Sequence, residues 1–164
     1  MRSLLDGLLE YSRVRSRDMV LEQIRLNKPV ADAMANLAVL IGEREAQITV
    51  AALPEVCGDG VQLMQLFQNL INNGIKFCSA PPPKIAIGAH REEGRWVVEV
   101  SDNGIGIAPA HYQKIFQIFS RLHSREAYPG TGVGLVCKQI MERLGGHIDV
   151  ASMPGQGTTF KLCF

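Results

Sequence analysis

The chain has no apolar stretch long enough to cross a bilayer, which takes about 20 consecutive apolar residues. It has almost no excess of either charge: 17 Lys and Arg stand against 16 Asp and Glu, for a formal net charge of +1. A nucleic-acid partner leaves a basic footprint, and none is present. The cysteines, Cys57, Cys78, Cys137 and Cys163, form no C-x-x-C and lie near no histidine pair in the sequence. Neither a zinc site nor a disulfide frame is expected of them; reduced thiols in a cytoplasmic chain without membrane contact are. The leucine-rich start (Leu4, Leu5, Leu8, Leu9) is broken by Asp6 and Glu10 and lacks a cleavage pattern, so it is not expected to be a signal peptide. There is no internal repeat and no low-complexity tract. No G-x-x-x-x-G-K-[ST] occurs, so a Walker P-loop is excluded.

What is present suits one core with a short appendage: 164 residues, 46% hydrophobic and 20% charged. Met1 to about Arg15 reads as an amphipathic helix, with Met1, Leu4, Leu5, Leu8 and Tyr11 on one stripe. That stripe needs a partner helix or a place on its own domain. Arg13, Arg15 and Arg17 then mark a hinge. A second helix begins at Lys28-Pro29 and buries Val30, Met34, Leu37 and Ile41. Gln47 to Val50 is a short strand. Asp59 and Gln62 predict a capping box opening a helix from about Gly60 to Phe77, whose core face carries Leu63, Phe67, Leu70 and Ile71.

The same helix places Asn69, Asn73 and Lys76 on one face. Asparagine is a poor helix former, so a pair one turn apart beside a lysine needs a reason. Either this is a solvated polar face, or it is a metal and phosphate face: an amide oxygen suits Mg²⁺ and an ammonium meets phosphate as a point charge. Lys84 to His90 and Arg95 to Ser101 alternate as two strands joined through Glu92-Glu93-Gly94, a hairpin. Asp102 ends the second strand, followed by Gly104 and Gly106. The run Asp-Asn-Gly is an ordinary turn sequence. It is also a carboxylate fixed at a strand end, able to accept from the exocyclic amine of a purine by a charge-assisted hydrogen bond.

An irregular region follows from Ile107 to Pro129, with Phe116 and Phe119 as anchors and Arg121, His123, Arg125 and Tyr128 among its polar residues. Gly130-Thr131-Gly132-Val133-Gly134-Leu135 is spaced G-x-G-x-G, with a loop rather than a strand before it, so it is not a dinucleotide fingerprint. It opens a helix carrying Val136, Ile140 and Leu144 that stops at Gly145-Gly146. The cluster is either a hinge or an anion site at the helix N-terminus. His147 to Val150 and Thr158 to Phe164 read as two final strands around Pro154-Gly155-Gln156-Gly157.

In chain order, Asn69/Asn73/Lys76, Asp102-x-Gly104-x-Gly106, Phe116-x-x-Phe119, Gly130-x-Gly132-x-Gly134 and Gly155-x-Gly157-Thr158-Thr159-Phe160 resemble the N, G1, F, G2 and G3 boxes of the catalytic ATP-binding domain of sensor histidine kinases. The resemblance spans about Leu26 to Phe164. The runs Gln68 to Phe77 and Arg121 to Leu135 are similar to bacteriophytochrome-type kinases, and Leu4 to Val14 to the second helix of their dimerization domain. The resemblance implies an α+β Bergerat fold: a two-layer sandwich with a mixed, mostly antiparallel five-stranded sheet covered on one face by three helices. Residues 1–18 are then the remnant of a dimerization helix and hinge, and 19–164 the catalytic domain.

The resemblance also implies the ligands and partners. ATP and Mg²⁺ are expected, with Asp102 reading the adenine amine and Thr158 or Thr159 near it through water. Asn73 is expected to hold Mg²⁺, Asn69 to line that face and Lys76 to contact phosphate. Gly104 and Gly106 are expected to admit the adenine. Gly130, Thr131, Gly132, Gly134 and Leu135 are expected to form the lid over the phosphates, with Arg121 and, more weakly, Arg125 near them. Expected partners are a histidine-bearing dimerization domain, in a homodimer of the parent protein, and a response-regulator receiver domain.

Two departures from the family pattern stand out. Gly74 replaces a usual alanine, at a helix cost of up to about 1 kcal/mol, with no ligand role expected of it. No histidine precedes His90, so the phosphoacceptor box is missing and a segment cut from a longer kinase is expected. The alternatives are an ATP-driven conformational module and a binding-only pseudokinase. ATPases of this fold carry a glutamate where Asn69 stands, and an amide cannot accept a proton from water at neutral pH, which favours transfer to a pre-positioned nucleophile.

Overall fold

The computed structural model describes residue 12, residues 18–116 and residues 133–164. The predicted N-terminal helix therefore lies outside the described residues except at Ser12, as do Phe119, Arg121, His123, Arg125, Tyr128, Gly130, Thr131 and Gly132.

The strands are β1 (Glu22–Arg25), β2 (Gln47–Val50), β3 (Glu55–Gly58), β4 (Lys84–Glu92), β5 (Arg95–Asp102), β6 (His147–Ser152) and β7 (Thr158–Cys163). The α-helices are α1 (Asn27–Asn36), α2 (Ala38–Glu43), α3 (Gly60–Lys76) and α4 (Val133–Arg143). Two single 3₁₀ turns, Pro109–His111 and Lys114–Phe116, follow β5. The main sheet is five-stranded in the order β2-β4-β5-β7-β6, parallel only between β2 and β4. It contains the strands that alternation predicts. The β4–β5 turn closes on two residues, Glu93 and Gly94, both with positive φ (49° and 82°), because Glu92 pairs with Arg95. That backbone matches the twist of the flanking strands.

One side of the sheet carries the core. Ile85, Ile87, Val98, Val100, Phe160, Leu162 and Ile148 meet Leu63, Phe67, Leu70 and Ile71 of α3 and Val136 and Ile140 of α4 in a single buried cluster. Phe67 is fully buried, so Phe67→Ala would cost about 3–5 kcal/mol. α1 packs on α3, where Asn36 donates to Gln68 Oε1 at 3.0 Å.

Three local features differ from expectation. The second helix breaks at Leu37 (φ −99°, ψ 7°) into α1 and α2. Asn36, just before the break, sends its side-chain amide across to α3. A further two-stranded antiparallel ribbon, β1–β3, was not expected from the sequence. The capping box is half formed: Asp59 accepts from Val61 and Gln62 N–H, each at 3.0 Å, whereas the Gln62 amide is buried with no partner among the described residues. The other Asp59 oxygen accepts from Val20 N–H at 2.9 Å, tying the incoming chain to the start of α3. The predicted stop of α4 holds. Gly145 N–H donates to Glu142 at 3.1 Å and Gly146 N–H to Met141 at 2.9 Å, a Schellman motif with Gly145 at φ +77°.

Candidate nucleotide site

The sheet register fixes which side chains meet at the end of β5. Ile85, Asp102, Thr158 and Ser152 lie across four neighbouring strands, in one row on the helix-covered side. Asp102 Oδ1 accepts from Gly104 N–H at 2.8 Å and from Thr158 N–H at 3.2 Å. Both bonds fall on one oxygen, leaving Oδ2 without a donor among the described residues. Burial pushes the carboxyl above its ordinary range, against the opposing pull of the Gly104 and Thr158 N–H groups. A desolvated acceptor aimed off a strand end is suited to an amine donor.

Between Thr158 and Thr159 the register decides. Thr158 stands beside Asp102, while Thr159 faces the opposite side of the sheet and bonds Ser101 Oγ at 2.8 Å. Asn103 takes the structural half of the Asp-Asn-Gly turn. Its Oδ1 accepts from Lys84 N–H at 2.7 Å and its Nδ2 donates to the Pro82 carbonyl at 3.2 Å.

The glycines allow protein segments to approach one another. A Cβ on Gly104 would lie 2.8 Å from the Phe77 carbonyl oxygen and 2.9 Å from Asp102 Oδ1. One on Gly106 (φ +73°) would lie 2.0 Å from Met153 O, and one on Gly157 (φ +85°) 1.9 Å from Asp102 O. Ile105 crosses this gap, donating to Phe77 O at 2.8 Å and accepting from Gly155 N–H at 2.7 Å. The space left by Gly104 and Gly106 is thus occupied by backbone. Gly134 lies inside the first turn of α4, and its missing Cβ would fall 2.1 Å from Ile115 O. Leu135 beside it is half-buried.

Helix α3 comes directly against the Asp102 corner. A Cβ on Gly74 would be 3.0 Å from Ile85 Cδ1 and 3.2 Å from Asp102 Cβ. No ligand role was expected of Gly74; its part is structural, as the contact that lets α3 sit beside the carboxylate. On α3 the Asn69 side chain is buried, and its Nδ2 has no partner among the described residues. Asn73 and Lys76 are half-buried. An orphaned buried amide wants a bound group or water to complete it. A neutral amide oxygen, as on Asn73, is a hard ligand that Mg²⁺ accepts when phosphate oxygens and water complete its octahedron. The residues present fit that ion.

Ser152 and Tyr112 are contributors that pattern reading did not single out. Ser152 Oγ donates to Gly157 O at 2.7 Å, lies 2.9 Å from Thr158 Oγ1 and accepts from Ile107 N–H at 2.8 Å. Tyr112 Oη donates to Ser152 O and accepts from Ser152 N–H. The signal was a serine in the buried phase of β6, after Ile148 and Val150.

Residues 58–164 match the family described as histidine kinase-, DNA gyrase B-, and HSP90-like ATPase. Phytochrome-like protein Cph1 of Synechocystis sp. is 47% identical over 161 residues, 98% of this chain and 22% of that protein. Circadian input-output histidine kinase CikA of Synechococcus elongatus is 41% identical over 107 residues, 63% of this chain and 14% of that protein. The chain thus spans about a fifth or less of these relatives. Among solved structures, full-length ShkA in complex with AMPPNP superposes with a TM-score of 0.80 at 24% identity, over 98% of this chain and 35% of that one. The catalytic domain of histidine kinase ThkA gives 0.75 at 20% identity, over 89% of this chain and 95% of that one. ThkA in complex with response regulator protein TrrA gives 0.76 at 21% identity, over 99% and 46%.

Proposed function

The chain belongs to the family of histidine kinase-, DNA gyrase B- and HSP90-like ATPases, and on that premise we propose that it is the ATP-binding catalytic domain of a sensor histidine kinase. In this reading residues 1–18 are the remnant of a dimerization helix and hinge, and residues 19–164 the catalytic unit. The observation that carries the reading is Asp102: a half-buried strand-end carboxylate with both backbone donors on Oδ1 and Oδ2 open. Oδ2 accepts from the adenine amine, and the desolvated surroundings strengthen that bond over its counterpart in water. Guanine presents a carbonyl at the same place and is refused.

Asn73 would hold Mg²⁺, with Asn69 on the same face and Lys76 meeting phosphate. When bound, the ion would supply positive charge to offset that of the nucleotide's phosphates. The site supplies no base for water at Asn69, because an amide has no proton-accepting role at neutral pH. The nucleophile is therefore the imidazole of a histidine on a dimerization domain. Its nitrogen forms the P–N bond as the bond from the γ-phosphorus to the bridging oxygen breaks, and ADP leaves. The domain's share is positioning and charge stabilisation. Gly130, Thr131, Gly132, Gly134, Leu135 and Arg121 close over the phosphates in this reading. The receiver domain of a response regulator takes the phosphoryl group afterwards, in the cytoplasm, where ATP is supplied. Among the described residues no helix is long and apolar enough to cross a membrane.

The test supplies γ-labelled ATP, Mg²⁺ and a separate histidine-bearing dimerization segment of a phytochrome-like kinase. Acid-labile label on that segment, lost when its histidine is replaced, is the expected result. An unlabelled segment in the presence of normal ATP binding would reduce the chain to a binding module.

A further inference from the structure

On the side of the sheet away from the helices, three metal-ligating side chains of different kinds converge. β6 and β7 are antiparallel, and His147 stands directly opposite Cys163. Asp149, two residues along β6, projects to the same side. His147 Nε2 lies 3.4 Å from Asp149 Oδ2. With the Cys163 sulfur, one donor atom from each residue lies within 4.8 Å of the other two. His147 and Asp149 are exposed and Cys163 is half-buried, so an ion can enter without disturbing the core. The sequence hides this grouping: the strands bring together residues on either side of the Pro154-Gly155 turn that no short spacing would connect.

We propose that His147, Asp149 and Cys163 form a binding site for a divalent transition-metal ion of the zinc class. Ligand bonds of about 2.0–2.3 Å put neighbouring donors of a tetrahedral shell roughly 3.3–3.8 Å apart. The His147–Asp149 separation already lies there, and small rotamer changes bring the sulfur in. Nitrogen, carboxylate oxygen and thiolate sulfur together suit Zn²⁺ and Co²⁺ and reject Mg²⁺, which requires oxygen. The fourth position is left to water. An exposed His–Asp contact alone would be a weak ion pair; the thiol opposite it is what converts the pair into a ligand set.

Burial, and then Asp149 and Glu92, push the Cys163 thiol up, opposed by Lys161 and Arg95. The sulfur therefore carries its proton at neutral pH, and binding releases that proton to solvent as the metal–sulfur bond forms. Lys161 contacts Glu99 at 3.7 Å, so its ammonium has its own counter-charge. The site faces away from Asp102 and does not depend on the nucleotide reading. Its consequence is a clip joining the edge strand β6 to β7.

The test titrates the full chain, reduced and stripped with chelator, with Co²⁺. One equivalent should bring up a near-ultraviolet thiolate-to-cobalt band and four-coordinate visible bands, which Zn²⁺ removes and Mg²⁺ does not. Cys163→Ser should abolish the near-ultraviolet band. His147→Ala and Asp149→Asn, both at exposed positions, should each weaken binding more than about tenfold, as disruption of a metal's surroundings commonly does. Cys57→Ser, at an exposed cysteine on β3, should change nothing. Absence of a saturating band, its survival in Cys163→Ser, or undiminished affinity in both His147→Ala and Asp149→Asn would overturn the proposal.

Discussion

Asp102 is legible in the sequence as a carboxylate ending an alternating strand, and its energetics follow from where the register puts it. Its folded-state pKa is raised by burial above the ordinary value of 3.8. The folded chain thus holds that proton more tightly than the unfolded chain. The stability it contributes is present at low pH and lost as pH rises from about 3.8 through the folded value. At neutral pH the ionised group destabilises the empty site. Asp102→Asn keeps an oxygen for Gly104 and Thr158 N–H, so thermal melts at pH 7 should show a higher midpoint without nucleotide. ATP affinity of the same variant should fall roughly 10- to 100-fold, the range for a bond to a charged group. A lower midpoint at pH 7 would contradict the account of the buried charge. Asn73→Ala should remove the Mg²⁺ dependence of nucleotide affinity, read by titration with and without the ion. Thr158, Ser152 and Tyr112 were less legible. Which of two adjacent threonines faces Asp102 is set by strand pairing, and Tyr112 meets Ser152 only through the fold.

At the scale of elements, β4 to β7 and helices α3 and α4 could be read because each repeats its period several times, while the four-residue β2 was read from its short Gln47–Val50 run alone. The β1–β3 ribbon could not. Each strand has four residues, and only Ile24 and Val56 among their large side chains are buried, too few turns of alternation to register. Asp59 was legible as a cap but not as the tether for Val20. Asp59→Ala should therefore cost about 2 kcal/mol in denaturant unfolding, more than a simple cap, because it also orphans the Val20 N–H. Asp59→Ser should recover part of it.

The turn glycines divide in the same way. Gly155 and Gly157 have φ of +77° and +85°, but only at Gly157 would a Cβ strike Asp102 O, at 1.9 Å. Both alanine substitutions should lose about 1–3 kcal/mol of stability from backbone strain. Gly157→Ala should also lose nucleotide affinity, whereas Gly155→Ala should not, as parallel melts and titrations would show.

For the molecule as a whole, resemblance in motif order anticipated the fold that the superpositions establish. The sequence could not show that Gly74 and Gly104 seat α3 and the Phe77 turn against Asp102, because that is a contact between elements. The isolated chain should leave His90, His111, His123 and His147 unlabelled by γ-labelled ATP, and steady-state hydrolysis should stay far below about 10 per second. Asn69→Ala should leave that slow rate nearly unchanged; abolition of a fast rate would restore the conformational-ATPase reading.

The central claim is a nucleotide site organised by the Asp102 carboxylate, and calorimetric titration of the chain with Mg·ATP and Mg·GTP tests it most directly. The account predicts binding of ATP, little or none of GTP, and a loss of about 1.5–3 kcal/mol of ATP affinity in Asp102→Ala. Equal affinity for the two nucleotides, or an Asp102→Ala variant that binds ATP as tightly as the parent, would contradict it.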